Sequence, residues 1–458
     1  VKSFFLKRGQ GRTTPCGLLR SSPQIVVRLA RFHQEGFSMR QTLRRILTAA
    51  LMALLVLVVA GADVARAADW PQFLGPDRNG ISKETGLIQL WGTSGPKELW
   101  RIPGGVGMTS VVVQGKLACT MVQTQGEQRL LAFDAATGKK QWDAVIAPTY
   151  RNQMGNGPRG TPALSKDAAF VFTGEGVLAR VSLKDGNVDW KVDTLQKLPG
   201  RSAEYGMACS PILWGEAVVV QIGARQATVA AFDQKTGKTL WTDGRGETPG
   251  YSSPAILKVG GKEQLVVFAG ASAFGVDSKG KRLWQFPYET GYDCNVATPL
   301  AIDGKVFISA GENHGSTLLD LKPGGTGLRP SVVWDSTGRG SVLRTEWQTA
   351  LLLDGHLYGY DNVGGAGPIT HLTCVNAKTG ERVWQEARFG KGNAIAADGI
   401  LFATTMKGEL VMMKPSPKGF DELGRKTVIE TTRQAPSLAN GRLYVRDDQE
   451  IVCFDVKR

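Results

Sequence analysis

Short alternating apolar runs recur along most of this chain, each cut by a tight turn. TPLAIDGKVFISAG (Thr298–Gly311), TALLLDGHLYGYD (Thr349–Asp361) and APSLANGRLYVRD (Ala435–Asp447) place Asp-Gly or Asn-Gly between two such runs. A two-residue turn of this kind needs positive φ at both central positions, so each stretch predicts a β-hairpin. A second kind of text follows each hairpin. It reads LLAFDAATGKKQW (Leu130–Trp142), LARVSLKDGNVDW (Leu178–Trp190), VAAFDQKTGKTLW (Val229–Trp241), FGVDSKGKRLW (Phe274–Trp284) and LTCVNAKTGERVW (Leu372–Trp384). A degenerate copy spans Leu318–Trp334, and a last one, IVCFDVKR (Ile451–Arg458), stops at the final residue. The Thr-Gly-Lys turn joins two more strands. One unit is therefore four short strands, A to D, with the Trp on strand D.

Trp100, Trp142, Trp190, Trp241, Trp284, Trp334 and Trp384 are spaced 42, 48, 51, 43, 50 and 50 residues apart. Four strands in that period predict an all-β propeller. Upstream halves begin near Ser110, Thr161, Ser210, Ser253, Thr298, Thr349, Asn393 and Ala435, which makes eight blades of four antiparallel strands. The eighth lacks a strand D, while an orphan strand, KELWRIP (Lys97–Pro103), precedes the first. Closure of the ring by this N-terminal strand follows, because an open ring leaves strand edges unpaired. The propeller is thus assigned to 96–458, and 68–95, rich in Pro and Gly, to an irregular arm.

Charge is concentrated before that region. Of the formal +14, residues 1–38 hold seven basic residues and one acidic, and residues 39–67 four and one, leaving +5 for the remaining 391. A folded part so nearly balanced excludes nucleic acid as the expected partner. From Met39, Arg40, Arg44 and Arg45 precede an apolar run, Ile46–Ala60, and then Ala65-Arg66-Ala67. This is the pattern of a signal peptide cleaved after Ala67. The run is shorter than the ~20 residues of a membrane span. Residues 1–38 then read as a non-native upstream extension. No Cys follows the apolar run to carry a lipid, and no later stretch is long enough to span. The expectation is an exported bacterial protein, periplasmic or extracellular, without a transmembrane anchor and monomeric.

The A-x-D-x-x-T-G-K-x-x-W text at Ala132–Trp142, Ala231–Trp241 and, with Asn for Asp, Cys374–Trp384 resembles the pyrroloquinoline-quinone-type propeller repeat. DWPQFLGPDRNGIS (Asp69–Ser82) resembles the leader of such propellers in secreted bacterial proteins. The resemblance covers nearly all of 96–458. It points in two directions. Quinoprotein dehydrogenases of this type hold pyrroloquinoline quinone and Ca²⁺ in the central funnel, with carboxylate and amide oxygens on the metal, a stacking Trp, a base Asp and often a disulfide of adjacent cysteines. Outer-membrane assembly lipoproteins of this type bind partner proteins through propeller loops. Here there is no Cys-Cys pair and no catalytic string. The chain is shorter than those enzymes, and it lacks the lipid-anchoring Cys of the assembly proteins.

The recurrent residues read as structural. The seven tryptophans are expected between neighbouring blades, against the Gly of the turn beneath. Asp134, Asp233 and Asp455 are expected to accept bonds from backbone amides two residues on. Cys119, Cys374 and Cys453 read as small buried residues. Cys209 and Cys294, just before strand A of adjacent blades, are the one pair considered for a disulfide. Function is expected on the face carrying the long D–A and B–C loops. Residues next to strand A should line its funnel: Arg159, Tyr205, Tyr251, Asn295, Trp347, Asn393 and Arg433. Farther out come Arg201, Glu204, Asp293, Glu312, His314, Arg344 and Glu346. Converging aromatic and Arg side chains suit an anionic, planar or peptide ligand.

The expected function is non-catalytic binding or scaffolding in the cell envelope, of a protein or polymer, with no cofactor and no catalytic residues. Two alternatives stay open. One is a quinone-dependent alcohol or polyol (polyvinyl-alcohol-type) dehydrogenase, with Asp293, Asn295 and Glu312 as weak metal candidates. The other is a carbohydrate- or polymer-binding propeller, with Tyr205, Tyr251 and Trp347 as stacking platforms. No G-x-S-x-G and no P-loop is present.

Overall fold

The computed structural model describes residues 68–458, except 93, 245, 326 and 365–368. The upstream extension and the signal peptide lie outside the described residues. Eight four-stranded antiparallel sheets follow one another as the blades of a β-propeller. Blade 1 is Val112–Gln114, Leu117–Thr124, Glu127–Asp134 and Lys140–Pro148. The order A-B-C-D repeats through blade 7, which ends with Glu422–Thr427. Blade 8 takes Ser437–Ala439, Arg442–Arg446 and Glu450–Asp455 from the C-terminus and Lys97–Pro103 from the N-terminal side. The ring closes where Lys97 pairs with Asp455, Trp100 with Cys453 and Pro103 with Glu450.

The apolar core lies between blades. Cys119, Met121 and Leu130 of blade 1 pack with Ala169, Val171 and Ala179 of blade 2. No single blade could bury both of its faces, so stacking supplies the core. The repeating Trp seals each gap on the turn side. It stands opposite a small or slender residue of strand C in several blades: Ala132 faces Trp142, Ala231 faces Trp241, Cys374 faces Trp384 and Cys453 faces Trp100. For Trp100, Trp142, Trp190, Trp241 and Trp334 the ring covers the turn glycine of the next blade. A Cβ on Gly186 (φ 76°) would sit 2.7 Å from the Trp142 ring, and one on Gly280 (φ 81°) 2.6 Å from Trp241. Only glycine combines that φ with that approach. The indole N–H of Trp142, Trp190 and Trp334 donates to a carbonyl of the following blade, at Leu183, Gln234 and Ala377. Trp284 differs, for its N–H donates to Gln264 of its own blade, 2.6 Å away. Asp134 and Asp233 accept from the backbone N–H groups two and three residues on, which fixes the turn.

Blade 7 has no Trp on strand D. At that register Gly424 pairs with Met412. Trp91 of the arm fills the place instead: a Cβ on Gly424 would fall 2.2 Å from its indole nitrogen. Its ring lies 6.2 Å from that of Phe402. The arm thus supplies the side chain its neighbouring blade lacks.

The rest of the arm runs along the A–B turns and enters the central channel. Asp69 accepts from the Gly115 N–H, and Glu84 accepts from the N–H groups of Asn440 and Gly441. Trp70 pairs with Val113 of blade 1, Leu164 N–H of blade 2 donates to Pro71, and Ile81 bridges to Ala396 of blade 7. Arg78 lies fully inside, donating to the carbonyls of Ser210, Pro211 and Pro254 and to Gln72. Burial lowers its pKa to about 10. Contacts to blades 1, 2, 3, 4, 7 and 8 make the arm a plug across the axis. Among the described residues no helix is long and apolar enough to cross a membrane.

Candidate functional site

The D–A loops converge above the plug on a cavity of about 580 Å³. Phe73 of the arm is part of its lining, with Met108, Ser210, Ser253, Thr349 and Ala435 from just before the strands A of blades 1, 3, 4, 6 and 8. Of the funnel residues expected from the sequence, Arg159, Tyr205, Tyr251, Trp347, Asn393 and Arg433 line this cavity.

One wall is cationic and aromatic. Arg159 is nearly buried. Its two Nη atoms donate to the carbonyls of Gly157 and Gly155, each at 2.7 Å, and its guanidinium lies 4.9 Å from the centre of the Tyr150 ring. Burial lowers its pKa, and the positive charge of Arg433 adds to the effect. Arg433 donates to the Met154 carbonyl at 2.7 Å and approaches the Trp347 ring at 5.3 Å. Lys391 Nζ sits 4.6 Å from the same ring. Trp347 therefore has two cations against it, a geometry in which the ring quadrupole favours positive charge. Asn393 holds this group in place by donating to the Arg433 carbonyl at 2.9 Å. Tyr205 and Tyr251 stack with centroids 5.6 Å apart and planes at 28°. The Tyr251 hydroxyl accepts from the Tyr205 N–H at 3.3 Å, and burial pushes its pKa far above the ordinary phenol value.

The lining also carries Cys294, Glu312 and Glu346. Glu346 pairs with Lys391 through one carboxylate oxygen, and its other oxygen is buried without a partner. Burial raises its pKa against the opposing pull of Lys391. Burial pushes the Cys294 thiol up to about 12, so at neutral pH it is protonated and a poor nucleophile.

Three expectations need correction. Asn295 does not face the funnel. It is fully buried, its amide donating to the carbonyls of Ala269, Gly270 and Tyr288 and accepting from Thr290. The preceding turn, Gly291–Asp293, puts Tyr292 and Asp293 at φ 58° and 55°, and Cys294 lines the funnel in its place. Asp293 lines a separate cleft of about 650 Å³, with Arg201, Glu204, Arg225 and Thr248. Cys209 and Cys294 are both free thiols. The Cys209 sulfur accepts from the Gln221 N–H.

Two of the outer residues are structural. His314 packs on Tyr288 at 4.4 Å, and Arg344 makes a two-pronged bond to buried Asp361 at 2.6 and 2.8 Å. Phe73, Met108, Met154 and Tyr292 also line the funnel, without a sequence signal to mark them. The first belongs to the arm, and no periodicity marks the others.

The three metal candidates do not come together as a calcium site. Calcium takes six to eight oxygen ligands. Of the three metal candidates, Asn295 has its oxygen engaged and Asp293 lies in the side cleft, which leaves Glu312. Among the described residues no three His, Cys, Asp or Glu side chains come together as a metal site.

The comparisons with known proteins agree with this architecture. The family model described as outer membrane protein assembly factor BamB matches residues 80–205, 126–358 and 370–458. The chain belongs to this family. A quinohemoprotein alcohol dehydrogenase, ADH-IIG of Pseudomonas putida, is 26% identical over 329 residues, covering 65% of this chain. The chain spans 42% of that enzyme's length. Among solved structures, BamB from Moraxella catarrhalis superposes with a TM-score of 0.52 at 15% identity, over 78% of this chain and 98% of that one. The quinohemoprotein alcohol dehydrogenase of Comamonas testosteroni gives 0.60 at 15% identity, over 86% and 81%. At such identities the likeness establishes the propeller fold. The chain is thus similar both to an outer membrane protein assembly factor and to quinohemoprotein alcohol dehydrogenases.

Proposed function

We propose that this protein is an exported envelope propeller that binds a ligand or partner in its loop-face funnel and does not catalyse redox chemistry. One observation carries the reading: the funnel gathers Arg159, Arg433, Trp347, Tyr205 and Tyr251 around one mouth. Aromatic and Arg side chains around a concave mouth are the composition of a recognition surface. The thiol there is protonated, and Glu346, the buried carboxylate, is tied to Lys391. Membership of a family described by an outer-membrane assembly factor supports the same reading. Export rests on the charged, apolar and small-residue pattern of 39–67.

The test is a dye-linked oxidation assay with primary alcohols and polyols, after incubation with the quinone and Ca²⁺. The expected result is no dye reduction above a protein-free control. Alcohol-dependent turnover would refute the proposal.

A further inference from the structure

The funnel and the side cleft share Tyr251 and Tyr292 as lining. Tyr292 is 68% exposed, the most exposed of the large apolar and aromatic side chains described. It also has a left-handed backbone, as does Asp293 beside it. Two successive non-glycine residues in that region cost free energy, and such strain persists where the surrounding structure uses it. Here it holds an aromatic ring out at the border of two cavities.

Each cavity carries charges of both signs. The funnel is lined by Arg159 and Arg433 against Glu312 and Glu346. The cleft is lined by Arg201 and Arg225 against Glu204 and Asp293. Neither set favours an ion of one sign. A ligand that both accepts from guanidinium and donates to carboxylate, without net charge, satisfies both. Aromatic faces at Tyr205, Tyr251 and Tyr292 add a need for flat apolar surface. A pyranose ring has an apolar C–H face and a rim of hydroxyls that donate and accept. A peptide usually joins a sheet edge or an apolar groove. These walls are loops, and the arm already lies along strands A of several blades.

Resting on the binding reading, we propose that the ligand is a neutral oligosaccharide, lying from the funnel across Tyr292 into the side cleft. The two cavities are then subsites of one chain-binding groove, and Tyr292 is the platform between them.

The test is isothermal titration of the purified protein with cello-, xylo-, manno-, laminari- and chitohexaose and their disaccharides. At least one hexaose should bind about tenfold more tightly than its disaccharide, the equivalent of about 1.4 kcal/mol. Raising the salt about tenfold should change that affinity less than about twofold, since no charge is being screened. Tyr292→Ala should abolish the length advantage, and Tyr292→Phe, which keeps the platform, should retain it. Tyr292 is exposed, so both variants should melt like the parent. Equal affinity for disaccharide and hexaose, strong salt dependence, or no effect of Tyr292→Ala would each overturn the assignment. So would a folded protein that rejects all five hexaoses, whether or not a mixed-charge decapeptide then binds. In that case the binding reading stands, whereas alcohol oxidation with added quinone would remove the reading itself.

Discussion

Removing residues 68–105 should abolish cooperative folding of the propeller. The segment contributes the fourth strand of blade 8, paired from Lys97 to Pro103. Without it, Glu450–Asp455 becomes a free edge of apolar residues, Ile451, Val452, Cys453 and Phe454, all buried in the intact ring. Such an edge is a template for pairing with another chain. The deletion also takes away Trp100, which packs at 5.6 Å on Phe133 and 5.9 Å on Tyr444. Trp91 is lost from blade 7, and the plug from the axis. Each buried aromatic costs about 3–5 kcal/mol when truncated, and total stability is of the order of 5–15 kcal/mol. The expected product is insoluble, or melts broadly without a single transition. A truncated protein with the sharp melting of the full chain would show that the ring closes some other way.

Arg78→Ala should be the most damaging single substitution in the arm. Its guanidinium is the donor for the Ser210, Pro211 and Pro254 carbonyls at the centre of the ring. The alanine leaves those buried acceptors without a partner and an empty space where the side chain stood. Each unsatisfied buried group costs about 1–3 kcal/mol, so a loss of about 3–5 kcal/mol is expected. Urea denaturation measures it as a fall in midpoint at constant slope. Arg78→Lys keeps the charge but cannot fork to three carbonyls, and should fall between the two. A loss below about 1 kcal/mol for the alanine would mean that water replaces the guanidinium and the channel is not plugged.

Much of the fold is legible because it repeats. The Asp-Gly and Thr-Gly turns and the strand D tryptophans recur often enough to give the blade count and the closing strand. What does not repeat is not legible. Gly424 looks like a lost Trp in one degenerate unit, and Trp91 like a stray residue in a linker. Their contact depends on 332 intervening residues closing into a ring. Arg78 has the same character, since its partners lie in blades 3 and 4. Position relative to strand A placed Arg159, Tyr205, Tyr251, Trp347, Asn393 and Arg433 in the funnel lining. The same rule failed for Asn295, because the left-handed pair at Tyr292 and Asp293 turns the chain before strand A. No local pattern announces that turn: neither residue is glycine.

The decisive measurement is quinone retention. The purified full chain is mixed with pyrroloquinoline quinone and Ca²⁺, followed by tryptophan fluorescence, then desalted and scanned for quinone absorbance. Trp347 is in the funnel, so a bound quinone would quench it. The account predicts a folded protein with no stoichiometric absorbance retained and no saturable quenching. Retention of one quinone per chain, dependent on Ca²⁺, would contradict it.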